Sequence, residues 1–211
     1  NQLFDNPNDS KRHSANLYDK NIYETAGLPS TYGTGSRESN LRANFNSGVT
    51  IEFWLKAEDL ATNANSIVFD MWNGNASSSA DYGRLRIEVD GTSTSSPFMV
   101  TVLSGAIGLS TSSVEFGSTL NQDSFSDWQH YAFTFANTAP MGTPGFIETK
   151  LYVNGALLET KTTGSNIGEI RDNLQANIGA LLTGTFNMQA NAGPNLGWGK
   201  LSGSVDEFRF W

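Results

Sequence analysis

From Gly48 onward the chain alternates apolar and polar positions with a period of two. Ile51, Phe53 and Leu55 fall on one face of an extended segment, and Glu52, Trp54 and Lys56 fall on the other. A half-buried strand requires this spacing, because successive side chains leave a pleated backbone on opposite sides. The same alternation returns at Leu85, Ile87 and Val89, which run into Asp90-Gly91, and at Phe98, Val100 and Val102. These two runs predict a hairpin or meander whose connection, Gly91 to Pro97, is longer than a tight turn needs. Tyr131, Phe133 and Phe135 place three rings on one strand face, a core signature. Leu151 to Leu158 contains Asn154-Gly155, the dipeptide that supplies both positive φ angles of a type I′ turn, and so predicts a two-residue hairpin.

Elsewhere the pattern weakens. Residues 1 to 40 are rich in Asn, Ser, Pro and Gly, and predict an arm or early strands draped on the rest. Helical periodicity is scarce: Ser165 to Leu174 has room for one short turn, and Gly184 to Gly199 reads as a long surface loop. No fixed-period repeat stands out. Many strands separated by Gly- and Asn-rich turns define an all-β, two-sheet antiparallel jelly-roll sandwich. The predicted division is residues 1–46 as a polar arm with early strands, and 47–211 as the sandwich, together one compact domain, a size that 211 residues suit.

Composition narrows the chemistry. With 13 basic against 21 acidic residues the net charge is −8, which disfavours a phosphate-binding face and therefore a nucleic-acid partner. Cysteine is absent, which removes disulfides, thiolate metal sites and a cysteine nucleophile. No apolar run approaches membrane-spanning length, so membrane insertion is not expected. The start at Asn1 lacks an initiator Met and the end at Trp211 follows a strand-like segment directly, which reads as a piece excised or processed from something longer.

Five segments in a fixed order carry a resemblance: Thr50-Ile51-Glu52-Phe53-Trp54, Trp128-Gln129-His130-Tyr131-Ala132, Leu151-Tyr152-Val153-Asn154-Gly155, Ala176-Asn177-Ile178-Gly179 and Gly203-Ser204-Val205-Asp206-Glu207-Phe208-Arg209. Together they resemble the laminin G-like members of the concanavalin A-like lectin and glucanase superfamily over most of Ser47 to Trp211. The resemblance implies two antiparallel sheets packed face to face, often with a structural calcium ion, and ligands held at loop edges or along the concave sheet. The first 40 residues and the loop from Pro140 to Gly145 depart from the family pattern. The superfamily includes lectins, adhesion modules and hydrolases, so the fold by itself does not choose among them.

Laminarinases and lichenases in the superfamily use an E-x-D-x-E or E-x-D-x-x-E strand, whose alternate carboxylates can flank one glycosidic bond. The near match here, Glu88-Val89-Asp90, continues into Gly91, Thr92 and Ser93, and leaves the third carboxylate unfilled. Glu88 and Asp90 therefore read as a solvated strand face ending in a turn, and no catalytic residue is assigned. His13 and His130 are too few for a multi-histidine zinc site, and His130 lies in an aromatic strand where a packed imidazole is expected.

Calcium is the expected cofactor. Strand parity puts Asp206 on the face of Phe208 and Phe210, and an inward carboxylate needs a cation or several donors. Carbonyls from the polar arm or from Asn46 to Gly48 would complete the shell of six to eight oxygens. A hydrogen-bonded cap, or a bulge turning Asp206 outward, accounts for the same residues. Asp70, in Phe69-Asp70-Met71-Trp72-Asn73-Gly74-Asn75, is a second metal candidate, with an Asx-stabilised loop as its plainer reading. For saccharide binding, aromatic rings that can stack on a pyranose and amides that reach hydroxyls occur at Trp72, Asn73, Asn75, Tyr82 and Trp198, although a ring in such a place more often covers a core edge.

The expectation is a non-catalytic recognition or adhesion module for a glycan or cell-surface protein, belonging to a larger extracellular, cell-surface or virion-surface protein. A structural decoration of a phage or viral particle, and a glycoside hydrolase with an atypical carboxylate pair, are the alternatives.

Overall fold

The structure is a computed structural model that describes residues 16–18, 41, 43–57, 60, 65–170, 174–181 and 200–211. In chain order the strands are β1 (Asn16–Tyr18), β2 (Ala43–Asn44), β3 (Val49–Lys56), β4 (Ser66–Trp72), β5 (Gly83–Val89), β6 (Phe98–Ser104) and β7 (Ile107–Phe116), then β8 (Gln129–Asn137), β9 (Ile147–Val153), β10 (Ala156–Thr163), β11 (Glu169–Ile170), β12 (Gln175–Ile178) and β13 (Ser204–Phe210). One short 3-10 turn, Gln122–Phe125, precedes β8, and it is capped by Asn121, whose side chain accepts from the Ser124 amide.

The strands form a six-stranded sheet in the order β1-β12-β4-β5-β6-β7, a five-stranded sheet in the order β10-β9-β8-β3-β13, and a small ribbon of β11 with β2. All their pairings are antiparallel. Neighbours far apart in sequence, such as β3 with β8 and β13, give the sheets jelly-roll connectivity.

The alternation read from the sequence sets the core. In β3, Val49, Ile51, Phe53 and Leu55 are buried while Thr50, Glu52, Trp54 and Lys56 are half-exposed. Leu85, Ile87 and Val89 from β5, Val100 and Val102 from β6, and Phe133 and Phe135 from β8 meet them between the sheets. Phe98 is fully buried and meets Tyr131, Phe133 and Phe125 at ring-centre distances of 5.0, 5.2 and 5.4 Å, each edge to face. Such pairs add to the burial term because a ring's positive edge meets a negative face. Burial also holds the Tyr131 hydroxyl well above the usual tyrosine pKa, since the interior penalises the phenolate.

The β9–β10 hairpin turns at Asn154 and Gly155, with φ of 50° and 80°, as the dipeptide predicted. In place of the short turn expected within Ser165 to Leu174, Glu169 and Ile170 pair with Asn44 and Ala43. Ile167 and Ile170 are buried, and anchoring them in the core extends the backbone into a ribbon. The Gly184 to Gly199 segment lies outside the described residues.

Candidate functional site

The end of β4 and the start of β5 are joined by a loop that fastens itself with side-chain amides. Asn73 donates from Nδ2 to the Asp81 carbonyl at 2.6 Å, and its Oδ1 accepts from the Gly83 and Asn75 amides at 3.0 and 3.2 Å. Asn75 Nδ2 donates to the same Asp81 carbonyl at 3.0 Å, and Trp72 Nε1 donates to the Asn75 carbonyl at 2.8 Å. Asn and Asp readily satisfy turn backbones in this way, so the loop is braced across its width. Gly83 lets the ribbon approach: a Cβ there would stand 2.3 Å from Ile170 Cγ2.

The opposing wall comes from β2, β11 and the segments beside them. Asn44 Oδ1 accepts from the Asn46 amide at 3.0 Å, while Asn137 Nδ2 donates to Asn46 Oδ1 at 2.8 Å and to the Ile167 carbonyl at 2.6 Å. Between this wall and the β4–β5 loop lies an open cleft of about 680 Å³, lined chiefly by Asn44, Asn46, Asn73, Asp81, Tyr82 and Glu169. Its volume falls within the range of small-ligand sites, and its lining is mainly polar.

On the strands that carry the loop, Asp70 of β4 is fully buried, and Arg84 of β5 grips it with two hydrogen bonds, Nε to Oδ1 at 2.7 Å and a second guanidinium nitrogen to Oδ2 at 2.6 Å. Burial works against the Arg84 charge, but the Asp70 carboxylate more than reverses this, and Tyr82 adds a further hydrogen bond; the guanidinium is held above its ordinary pKa.

The structure therefore gathers four of the proposed saccharide residues, Trp72, Asn73, Asn75 and Tyr82, into one loop with different duties. Trp72, at 1% exposure, packs on Tyr82 and Leu103 and offers no free ring face; its indole braces the loop instead. Asn73 and Tyr82 reach the cleft, whereas Asn75 is held by the loop backbone. Trp198 lies outside the described residues. Asp70, the second metal candidate, has both carboxylate oxygens engaged by Arg84.

Among the described residues no calcium shell gathers around Asp206, and the polar arm expected to supply carbonyls lies mostly outside them. Asp206 is exposed, and its Oδ1 accepts from the Glu207 amide at 2.8 Å. The register with β3 runs from Asp206 opposite Trp54 to Arg209 opposite Glu52, three residues against two, with Glu207 at φ 45°. This one-residue bulge breaks the parity count, so Val205, Phe208 and Phe210 pack toward the core while Asp206 turns out. Gly48, with φ 88°, precedes the other end of β3, about 20 Å away along the strand at ~3.3 Å per residue. Among the described residues no group of three or more acidic or histidine side chains could hold a metal ion. Asp206→Asn is accordingly expected to change the unfolding free energy by no more than ~0.5 kcal/mol. Millimolar calcium should shift the melting midpoints of parent and variant equally; a calcium-dependent gap between them would restore the ligand role.

Glu88 and Asp90 have separate duties. Glu88 is buried against Arg86, 2.8 Å away, and Asp90 Oδ1 accepts from the Thr92 amide and hydroxyl at 2.8 and 2.6 Å, stabilising the turn after β5. His130 stands 5.5 Å from the Trp54 ring and 3.7 Å from Glu52, on the outer face of the five-stranded sheet. Hydrogen bonding from Arg209, helped by Trp211, holds the Glu52 carboxyl below its usual pKa despite the opposing effect of burial.

Sequence reasoning missed Asn44, Asp81 and Glu169 as cleft residues. The Asn-rich run Asn44-Phe45-Asn46 was a visible signal, but its partner wall was not.

The family pattern for the concanavalin A-like lectin/glucanases superfamily, in its laminin G form, matches residues 31–211, beginning earlier than Ser47. The chain belongs to that superfamily. No curated protein matches the sequence. Among solved structures, the chain is similar to a native heptameric SAP-like pentraxin from Limulus polyphemus, at TM-score 0.51 and 13% identity, over 81% of this chain and 66% of that one. It is also similar to an alginate lyase from a Chlorella virus, at TM-score 0.46 and 11% identity over 80% and 72% of the two chains. A third similarity is to a marine alginate lyase from Aplysia kurodai, at TM-score 0.41 and 7% identity over 96% and 85%. At these identities the likeness concerns the fold.

Proposed function

We propose that this domain is a recognition or adhesion module that binds a glycan, at the end of the sandwich where the β4–β5 loop faces the β2–β11 ribbon. The observation that carries this reading is the polar cleft of about 680 Å³ lined by Asn44, Asn46, Asn73 and Tyr82. Amides both donate and accept, as sugar hydroxyls do, and Tyr82, Met141 and Ile170 supply apolar surface for the ring carbons. A loop braced by Asn73 and Asn75 loses little entropy when a ligand arrives. The net charge of −8 disfavours nucleic acid as the partner.

The module belongs, on this reading, to a larger extracellular, cell-surface or virion-surface protein, and a cell-surface protein presenting the glycan is the natural partner. Glycan-array binding with calcium present and absent tests it. Binding should survive calcium removal, and Ala80→Trp, which fills the cleft from its rim, should weaken it at least tenfold. No binding to any glycan or surface partner in either condition sinks the reading.

A further inference from the structure

The cleft has a charge as well as a shape. Among the described residues its lining contains two acidic residues, Asp81 and Glu169, and no lysine, arginine or histidine. Asp81 serves the loop through its backbone: its carbonyl takes the Asn73 and Asn75 amides and its N–H donates to Ser79 Oγ at 3.1 Å. Its exposed carboxylate has no such duty. Glu169 likewise is placed by its strand register opposite Asn44, and its side chain is half-buried. Among the described residues, neither carboxylate is held in an ion pair. Arg84, hydrogen-bonded to Tyr82, does not line the cleft, and its charge is engaged by Asp70.

We infer that the cleft selects saccharides by charge: it accepts sugars free of carboxylate and sulfate, favours a free amine on the ring, and rejects uronate-type and sulfated glycans. The inference rests on the proposed glycan-binding reading and adds its ligand class. Two like charges facing an incoming anion are a repulsive specificity device, and an ammonium in the same place finds uncompensated partners. At a part-exposed site this is worth about tenfold between ligands of opposite sign, and it shrinks in high salt because the Debye length falls to ~3 Å at 1 M.

The test is titration calorimetry of the whole domain, in EDTA, against matched tetrasaccharides of glucose, glucosamine and galacturonate, beside a glycan array sorted by charge. The glucosamine oligomer should bind at least tenfold tighter than the galacturonate oligomer, and the gap should narrow in 1 M salt. In Asp81→Asn/Glu169→Gln the ratio between the two oligomers should fall below threefold, whatever the change in affinity for neutral glycans. Circular dichroism of the double variant confirms that it is folded. Galacturonate bound as tightly as glucosamine, a preference for anionic glycans on the array, or a gap that survives the double variant overturns the charge selection alone. No binding to any glycan overturns the glycan-binding reading, and the selection with it.

Discussion

Asp70→Asn is expected to destabilise the domain by about 3–5 kcal/mol, the cost of leaving a buried charge without its counter-ion. Asp70 is fully buried and the Arg84 side chain is 12% exposed, so water cannot replace the lost carboxylate. The amide of Asn can accept one of the two guanidinium bonds, at 2.7 and 2.6 Å, but it carries no charge against a cation whose own burial already opposes ionisation. Urea unfolding measures the effect as a fall in midpoint at unchanged slope. The double change Asp70→Leu/Arg84→Met should recover most of the loss, because an apolar pair carries no desolvation penalty. A loss below 1 kcal/mol for Asp70→Asn would mean that the pair is solvated. Since Arg84 also holds Tyr82, the cleft should lose affinity in the single variant beyond what its unfolded fraction explains.

Phe98→Ala should be as costly, about 3–5 kcal/mol, but for a different reason. Phe98 fills the middle of the core, where Phe125, Tyr131 and Phe133 all present their rings to it within 5.4 Å. Removing the ring loses its transfer free energy and leaves a cavity that three rigid neighbours cannot collapse into. Phe98→Leu should lose less. Phe98 begins β6 and Ser104, a cleft residue, ends it, about 20 Å away at ~3.3 Å per residue. The folded fraction of Phe98→Ala should therefore bind glycans as the parent does. Thermal unfolding with binding measured well below the midpoint separates the two effects; a stability loss under 1.5 kcal/mol would mean that the core repacks around the gap.

The two variants mark how differently fold and site were written in the chain. Val49, Ile51, Phe53 and Leu55 could be assigned inward because the period of a strand is local, and the Asn154-Gly155 turn because its φ values belong to those two residues. Asp206 could not be assigned by the same rule. One extra residue between Asp206 and Arg209 reverses the parity, and nothing in Val205 to Arg209 alone announces the bulge; it is defined by the register with Trp54 and Glu52. Asp70 looked like a ligand because its neighbours in sequence carry oxygen atoms, but its partner Arg84 comes from the adjacent strand.

Trp72 shows the same limit from the aromatic side. A ring among Asn and Gly residues reads as a platform, whereas its placement against Tyr82 and Leu103 makes it the floor of the loop. Tyr82 and Asn73 both line the cleft, and their proximity was legible because the loop that presents them is continuous in sequence.

By itself, then, the sequence determined a two-sheet antiparallel sandwich, its core-facing positions, its hairpin and its membership of the laminin G-like group, because alternation, turn chemistry and segment order are properties of neighbours along the chain. The tertiary structure decided which carboxylates are paired, which way Asp206 faces, and where the cleft lies. Asn44 and Glu169 meet across β2 and β11, and Asp81 lines the same cleft where Gly83 admits Ile170; long-range register and close approach are energies of packing that no local pattern encodes.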